Sequence, residues 1–184
     1  MRRDFKVPRM EEVLEHDRKL LFALKQSMGF VPNVYAFMTR SETALKRFMD
    51  FMDVSTVFDR IQTEAIHLVT SQVNQNPYCL AAHTALAKEA GLSDKQIEAI
   101  RNVTWDEKLD TLVDFTCELV TNRGKVGPEM IGRFYQAGYT DACLVDLVML
   151  VGMTTITNYL NNATWIPVDF PEAPVIICKC DCKK

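Results

Sequence analysis

The sequence predicts an all-α protein. Apolar residues recur at helical spacing through nearly the whole chain, and capping residues and glycines separate these stretches. No segment alternates with period two between hairpin turns, so strands are not required.

Taken in order, Val13, Leu20, Leu21 and Leu24 form the first amphipathic pattern, which stops around Met28 and Gly29 ahead of Pro32. Ser41 is placed to cap a second helix carrying Leu45, Phe48, Met49 and Met52. A third runs from about Arg60 to Asn74 with Ile61, Ala65, Leu68 and Val69 turned inward. Asn76 followed by Pro77 is a helix start: Asn accepts a hydrogen bond from the first turn, and proline tolerates a position whose N–H is not needed. That fourth helix reaches Ala90 and stops at Gly91. Ser93 with Gln96 and Thr104 with Glu107 have capping-box spacing and open two more. Pro128 opens another, Gly138 closes it, and Thr140 caps a long apolar helix through about Asn162.

A shift of 82 residues lays Leu68 and Val69 on Leu150 and Val151, Asn76 on Asn158, and Glu64 on Asp146, a degenerate internal repeat. Cys79 and His83 fall on Asn161 and Trp165, so chemistry is expected in the first copy alone. Residues 1–166 read as a single helical domain, since 184 residues suit one core. Residues 167–184 read as an extended tail with three prolines that ends in Cys178, Cys180 and Cys182.

Composition narrows the partners. With 48% hydrophobic and 24% charged residues the chain is that of a folded globular protein. A net charge of −3 with scattered lysines and arginines argues against nucleic acid. The first residues lack the apolar segment of a secretory signal, and the most apolar run, 143–153, is short for a bilayer and contains Asp146. A cytoplasmic protein without membrane contact is expected. In that compartment the six cysteines are expected as thiols, with Cys117 and Cys143 as small core residues.

The chemistry concentrates in the stretch from Glu64 to His83. Cys79 falls in the first turn of its helix, where free N–H groups and the helix dipole favour a thiolate. His83, one turn later on the same face, can take the thiol proton. Glu64 lies on a face predicted to turn inward, where a carboxylate must be paired or working. His67 is one turn from Glu64 and reads as a partly buried helix histidine, Tyr78 as packing, and His16 as solvated. No metal or cofactor is expected.

The wording EAIHLVTSQVNQNPYCLAAH, from Glu64 to His83, resembles the signature of the carboxymuconolactone decarboxylase and alkyl hydroperoxidase D-like superfamily, particularly its peroxidase-related branch. The resemblance extends from the Val-Pro-Asn around Pro32 through GLSDKQIEAI to the second helical unit near Trp165. It implies an alkyl hydroperoxidase D-like bundle that assembles as a trimer or hexamer, with Cys79 as the reactive thiol, His83 as its proton partner and Glu64 as the acid of the relay. The family's first cysteine corresponds to Asn76, so a disulfide within the motif is ruled out. A thiol-dependent, peroxiredoxin-type antioxidant activity then needs a hydroperoxide substrate and a second thiol: a small-molecule reductant, a partner protein, or one of Cys178, Cys180 and Cys182. Two other readings tolerate Asn76. One is a non-redox, lactone-decarboxylase-like acid–base enzyme; the other is a helical scaffold that has lost its chemistry.

Overall fold

The computed structural model describes residues 5–53, 55–104 and 108–176. Its elements are α1 (Glu15–Met28), α2 (Asn33–Met38), α3 (Ala44–Met52), α4 (Arg60–Val73), α5 (Pro77–Glu89), α6 (Asp94–Arg101), α7 (Lys108–Thr121), α8 (Pro128–Gln136) and α9 (Asp141–Thr164). A 3-10 turn precedes α1 at Met10–Glu12. Among the described residues there is no strand, and the protein is all-α as predicted.

The chain forms two compact units, Met1–Ser55 with Tyr159–Asp169, and Thr56–Asn158 with Phe170–Lys184. In the first unit, Leu21, Leu24, Val34, Met38, Leu45 and Phe48 are buried. The start of α2 is held by Asp169, whose carboxylate accepts from the Asn33 N–H at 2.7 Å. Ser41 does not cap α3; the helix starts after Thr43 with no side-chain cap, because residues 39–44 already form tight turns of their own.

The second unit is organised on α4, which packs against α5, α6 and α7. Its Asp59 cap accepts from the Gln62 N–H at 2.8 Å, an arrangement that stabilises a helix by about 1 kcal/mol. Residues 64–72 of α4 are all buried, so the helix is enclosed on every side rather than along one stripe. Ile61, expected inside, is 37% exposed because it precedes this enclosed stretch. One core joins Ile66 to Leu112, Phe115, Phe134, Leu147 and Leu150. The other joins Ala65, Leu68 and Val69 to Ala87, Ile97, Ile100 and Val113.

The remaining cap signals behave as read. Ser93 accepts from Gln96, Pro128 opens α8, and the Thr140 hydroxyl accepts from the Cys143 N–H. The Thr104–Glu107 pairing lies partly outside the described residues. The α9 helix has 24 residues and is by length and composition apolar enough to cross a bilayer, which the shorter 143–153 run did not suggest. After α9, Phe170 meets Tyr78 edge to face at 5.8 Å, and the Ile176 carbonyl accepts from Gln72 at 3.2 Å.

Candidate functional site

Enclosing α4 creates a chemical problem, because five of its buried residues are polar: Glu64, His67, Thr70, Ser71 and Gln72. A buried polar group without a partner costs about 1–3 kcal/mol, so each must find one. Thr70 donates to the Ile66 carbonyl on its own helix at 2.7 Å, and Gln72 accepts from the buried Arg101 at 2.8 Å. The other three reach α5 and α9, and in doing so assemble the site.

The break between α4 and α5 begins it. Gln75 takes a positive φ of 50°, the chain reverses, and Asn76 caps α5 with Pro77 at the first helical position. The Asn76 side-chain oxygen accepts from the Cys79 N–H at 2.7 Å, while its amide nitrogen donates to the Asn158 carbonyl of α9 at 2.9 Å. The Asn158 amide in turn donates to Ser71 at 3.2 Å and accepts from Asn74 at 2.9 Å. Asn76 is therefore a stitch between α5 and α9.

Cys79 is a free thiol, 3% exposed, with its sulfur 3.5 Å from the Thr157 hydroxyl. Thr157 commits its own proton to the Thr154 carbonyl at 2.9 Å, so the thiol donates and Thr157 accepts. Burial pushes the Cys79 pKa up; once the sulfur ionises, the Thr157 hydroxyl can turn from the Thr154 carbonyl to donate to it, and this, with Asn158, offsets burial only in part. This corrects the expected thiolate: loss of hydration outweighs the favourable helix start. The first turn of α5 is likewise closed, with Asn76, Tyr78 and Cys79 all buried.

Glu64 and His83 do come together. The imidazole Nδ1 lies 2.9 Å from the Glu64 carboxylate, with the two side chains only 10–18% exposed. A carboxylate only accepts, so Nδ1 carries a proton, and in the neutral imidazole Nε2 is the acceptor. Among the described residues no hydrogen bond joins Cys79 to His83; each has its own partner. His67 lies between α5 and α9: its ring stacks on His83 with centroids 4.4 Å apart, and its Nδ1 is 2.6 Å from the Thr154 hydroxyl.

Tyr78 packs, as read, and His16 is exposed. Cys143 is a half-buried free thiol beside the core, whereas Cys117, also half-buried, is disulfide-bonded, against the expectation of thiols. Cys178, Cys180 and Cys182 lie outside the described residues. Sequence reasoning missed Thr154, Thr157 and Asn158. The available signal was the polar run TTITN inside an otherwise apolar helix, together with the pairing of Asn158 with Asn76 in the repeat.

Comparison with known proteins agrees with the resemblance. Residues 32–110 match the model of the carboxymuconolactone decarboxylase family. The fold is that of an alkylhydroperoxidase AhpD core, an uncharacterized peroxidase-related protein from Ralstonia eutropha JMP134, at a TM-score of 0.82 and 18% identity over 90% of this chain and 92% of that one. A peroxidase-related protein from Silicibacter sp. TM1040 superposes at 0.77 with 20% identity, covering 89% of each chain. A variant of the debrominase Bmp8 in complex with 2,3,4-tribromopyrrole superposes at 0.78 with 14% identity, over 92% and 93%. No curated protein matches by sequence.

Proposed function

Starting from a chain whose residues 32–110 match the carboxymuconolactone decarboxylase family within an AhpD-like fold, we propose a thiol-dependent oxidoreductase of the peroxidase-related kind. Cys79 is the nucleophile and the Glu64–His83 pair manages its proton. The observation that carries this reading is the 2.9 Å contact that holds His83 against Glu64, one helical turn from the only thiol in the first turn of α5.

The reaction is a two-electron transfer. The Cys79 proton leaves Thr157 for the free Nε2 of His83, and Glu64 steadies the imidazolium that forms. The thiolate attacks the terminal oxygen of a hydroperoxide, the O–O bond breaks, and His83 returns the proton to the departing alkoxide. The products are a Cys79 sulfenic acid and an alcohol. One external thiol then condenses with the sulfenic acid, releasing water, and a second reduces the mixed disulfide. Asn76 leaves no thiol within the motif for this return.

A stoichiometric dose of hydroperoxide, followed by trapping of the sulfenic acid and mass spectrometry, tests the reading. Cys79 is expected to trap, and His83→Ala to suppress it. Reaction of Cys79 no faster than free cysteine ends the proposal. A brominated heteroaromatic belongs in the same panel, because one protein of this fold is a debrominase.

A second reading is favoured by the sealing of Cys79. Acid–base chemistry on a small acidic substrate would use Glu64 and His83 and leave the sulfur as packing. Cys79→Ser then retains turnover of a lactone or keto acid, and Glu64→Gln abolishes it.

The homo-oligomer expected from the resemblance has support on α9. Val145, Met149, Gly152, Ile156 and Tyr159 alternate at four- and three-residue spacing on one exposed line, the pattern of a helix seam. A second copy of the chain would cover it. Ile156→Glu is expected to lower the mass measured by light scattering; an unchanged mass removes α9 from the interface.

A further inference from the structure

The proposed reaction uses Cys79, His83 and Glu64, and leaves unexplained a second histidine buried against the first. We propose that His67 is a positioning residue for His83: stacked on its face and anchored to Thr154, it fixes the plane of His83 so that Nε2 alone is offered to substrate. This rests on the reading in which His83 handles the proton.

Hydrogen-bond accounting gives the argument its direction. The Thr154 hydroxyl lies 2.8 Å from the Leu150 carbonyl, one turn back on α9, and can only donate to it. Its one proton is thereby used, so toward His67 it accepts, and His67 carries its hydrogen on Nδ1. The threonine side chain is held at both contacts, and the His67 ring is held through it. The ring planes of His67 and His83 lie 28° apart with centroids at 4.4 Å, an offset-stacking distance at which one ring restrains rotation of the other. Glu64 alone leaves His83 free to swing about the Nδ1 contact; the stacked ring removes that freedom.

The neighbourhood suits a neutral partner. The ionisable groups that meet the stacked pair are Glu64 on α4, in contact with His83, and, for His67, His83 itself on α5. The α9 helix contributes Thr154 and Thr157, which are not ionisable. Burial holds the His67 pKa well below its ordinary value, and the nearby His83 lowers it further. His67 therefore stays uncharged while His83 cycles, and the stack survives protonation without setting two cations face to face. A phenyl ring could serve the same purpose, which separates positioning from proton transfer.

The chain has three histidines, so side-chain nitrogen–proton correlation spectra resolve each one without substrate. The intact protein is expected to show His83 and His67 both as the Nδ1–H tautomer. His67→Ala should give His83 averaged tautomers and lower kcat about tenfold to a hundredfold with KM within twofold, the scale of a misplaced catalytic group. His67→Phe should keep the His83 tautomer and most of kcat, and Thr154→Val, which frees His67 without deleting it, should fall between. An unchanged His83 spectrum in both His67→Ala and Thr154→Val overturns the proposal. So does loss of kcat in His67→Phe with the His83 tautomer intact, which would make His67 a proton carrier. Failure of the proposed function itself would appear separately, as activity surviving His83→Ala while the spectra still obey these expectations.

Discussion

The two ends of the site, one turn apart on α5, are built on opposite principles. At the sulfur end, Cys79 is 3% exposed, its proton is engaged by a neutral hydroxyl, and burial disfavours its ionisation. At the imidazole end, His83 keeps 18% of its side chain exposed and contacts a carboxylate. The first end has neutral hydrogen-bond partners and the second has a potential counter-charge. The contrast teaches that the helix start does not activate the sulfur unaided; in the proposed reaction that task falls to the Glu64–His83 pair.

The largest test of that contrast removes the carboxylate. Glu64→Gln leaves a side chain of the same shape that cannot stabilise an imidazolium, and turnover is expected to fall about 10²–10⁴-fold, the span of a general acid–base contribution, in a peroxide-consumption assay. A fall of less than threefold would place the proton elsewhere. Next in size is Asn76→Cys, which restores the second thiol while deleting both the α5 cap and the stitch to Asn158. Denaturant unfolding should show a loss of about 1–2 kcal/mol, and peroxide-linked disulfide turnover should appear where none was present.

Smaller effects sharpen the sulfur end. Thr157→Val removes a group that helps to hold down the Cys79 pKa, so the thiol should rise further. Alkylation of Cys79 near pH 8 should slow by a few-fold, about the value of one hydrogen bond, and recover as pH is raised. The smallest effect concerns His67. Its pKa in the folded protein is depressed below the ordinary 6.5, so below that pH the unfolded chain binds a proton that the folded chain refuses. Its contribution is present above pH 6.5 and is lost as pH falls from there toward the folded value. His67→Phe should flatten this acid limb in a series of thermal melts; an unaltered limb would assign the acid sensitivity to other groups.

Helix boundaries were legible where one local residue decides them. The Asn76–Pro77 start, the Ser93–Gln96 box and the Pro128 start depend on side chains within one turn of the backbone they serve. The six-residue α2 was missed because so short an element gives periodicity too little length. Glu64, Cys79 and His83 were legible from type and spacing, and the inward turn of Glu64 followed from the apolar neighbours on its face. The partners Thr154, Thr157 and Asn158 were not, since they lie 78–87 residues from the groups they hold and no local pattern couples them. The direction of the Cys79 shift was misread for the same reason: the dipole is a property of one helix, whereas burial depends on what other segments pack over it. The repeat also diverges where it matters. Asn158 matches Asn76, yet without a proline beside it α9 runs straight through where α5 had to begin anew.

The helix α9 runs unbroken past both ends of the site. Thr154 and Thr157 protrude from one side of it, the first engaging His67 and the second engaging Cys79. A small axial twist would withdraw both hydroxyls together, unpinning the sulfur's hydrogen and loosening the stacked rings in one stroke. In the proposed reaction, the groups cast as nucleophile and base would thus share a single dial on α9.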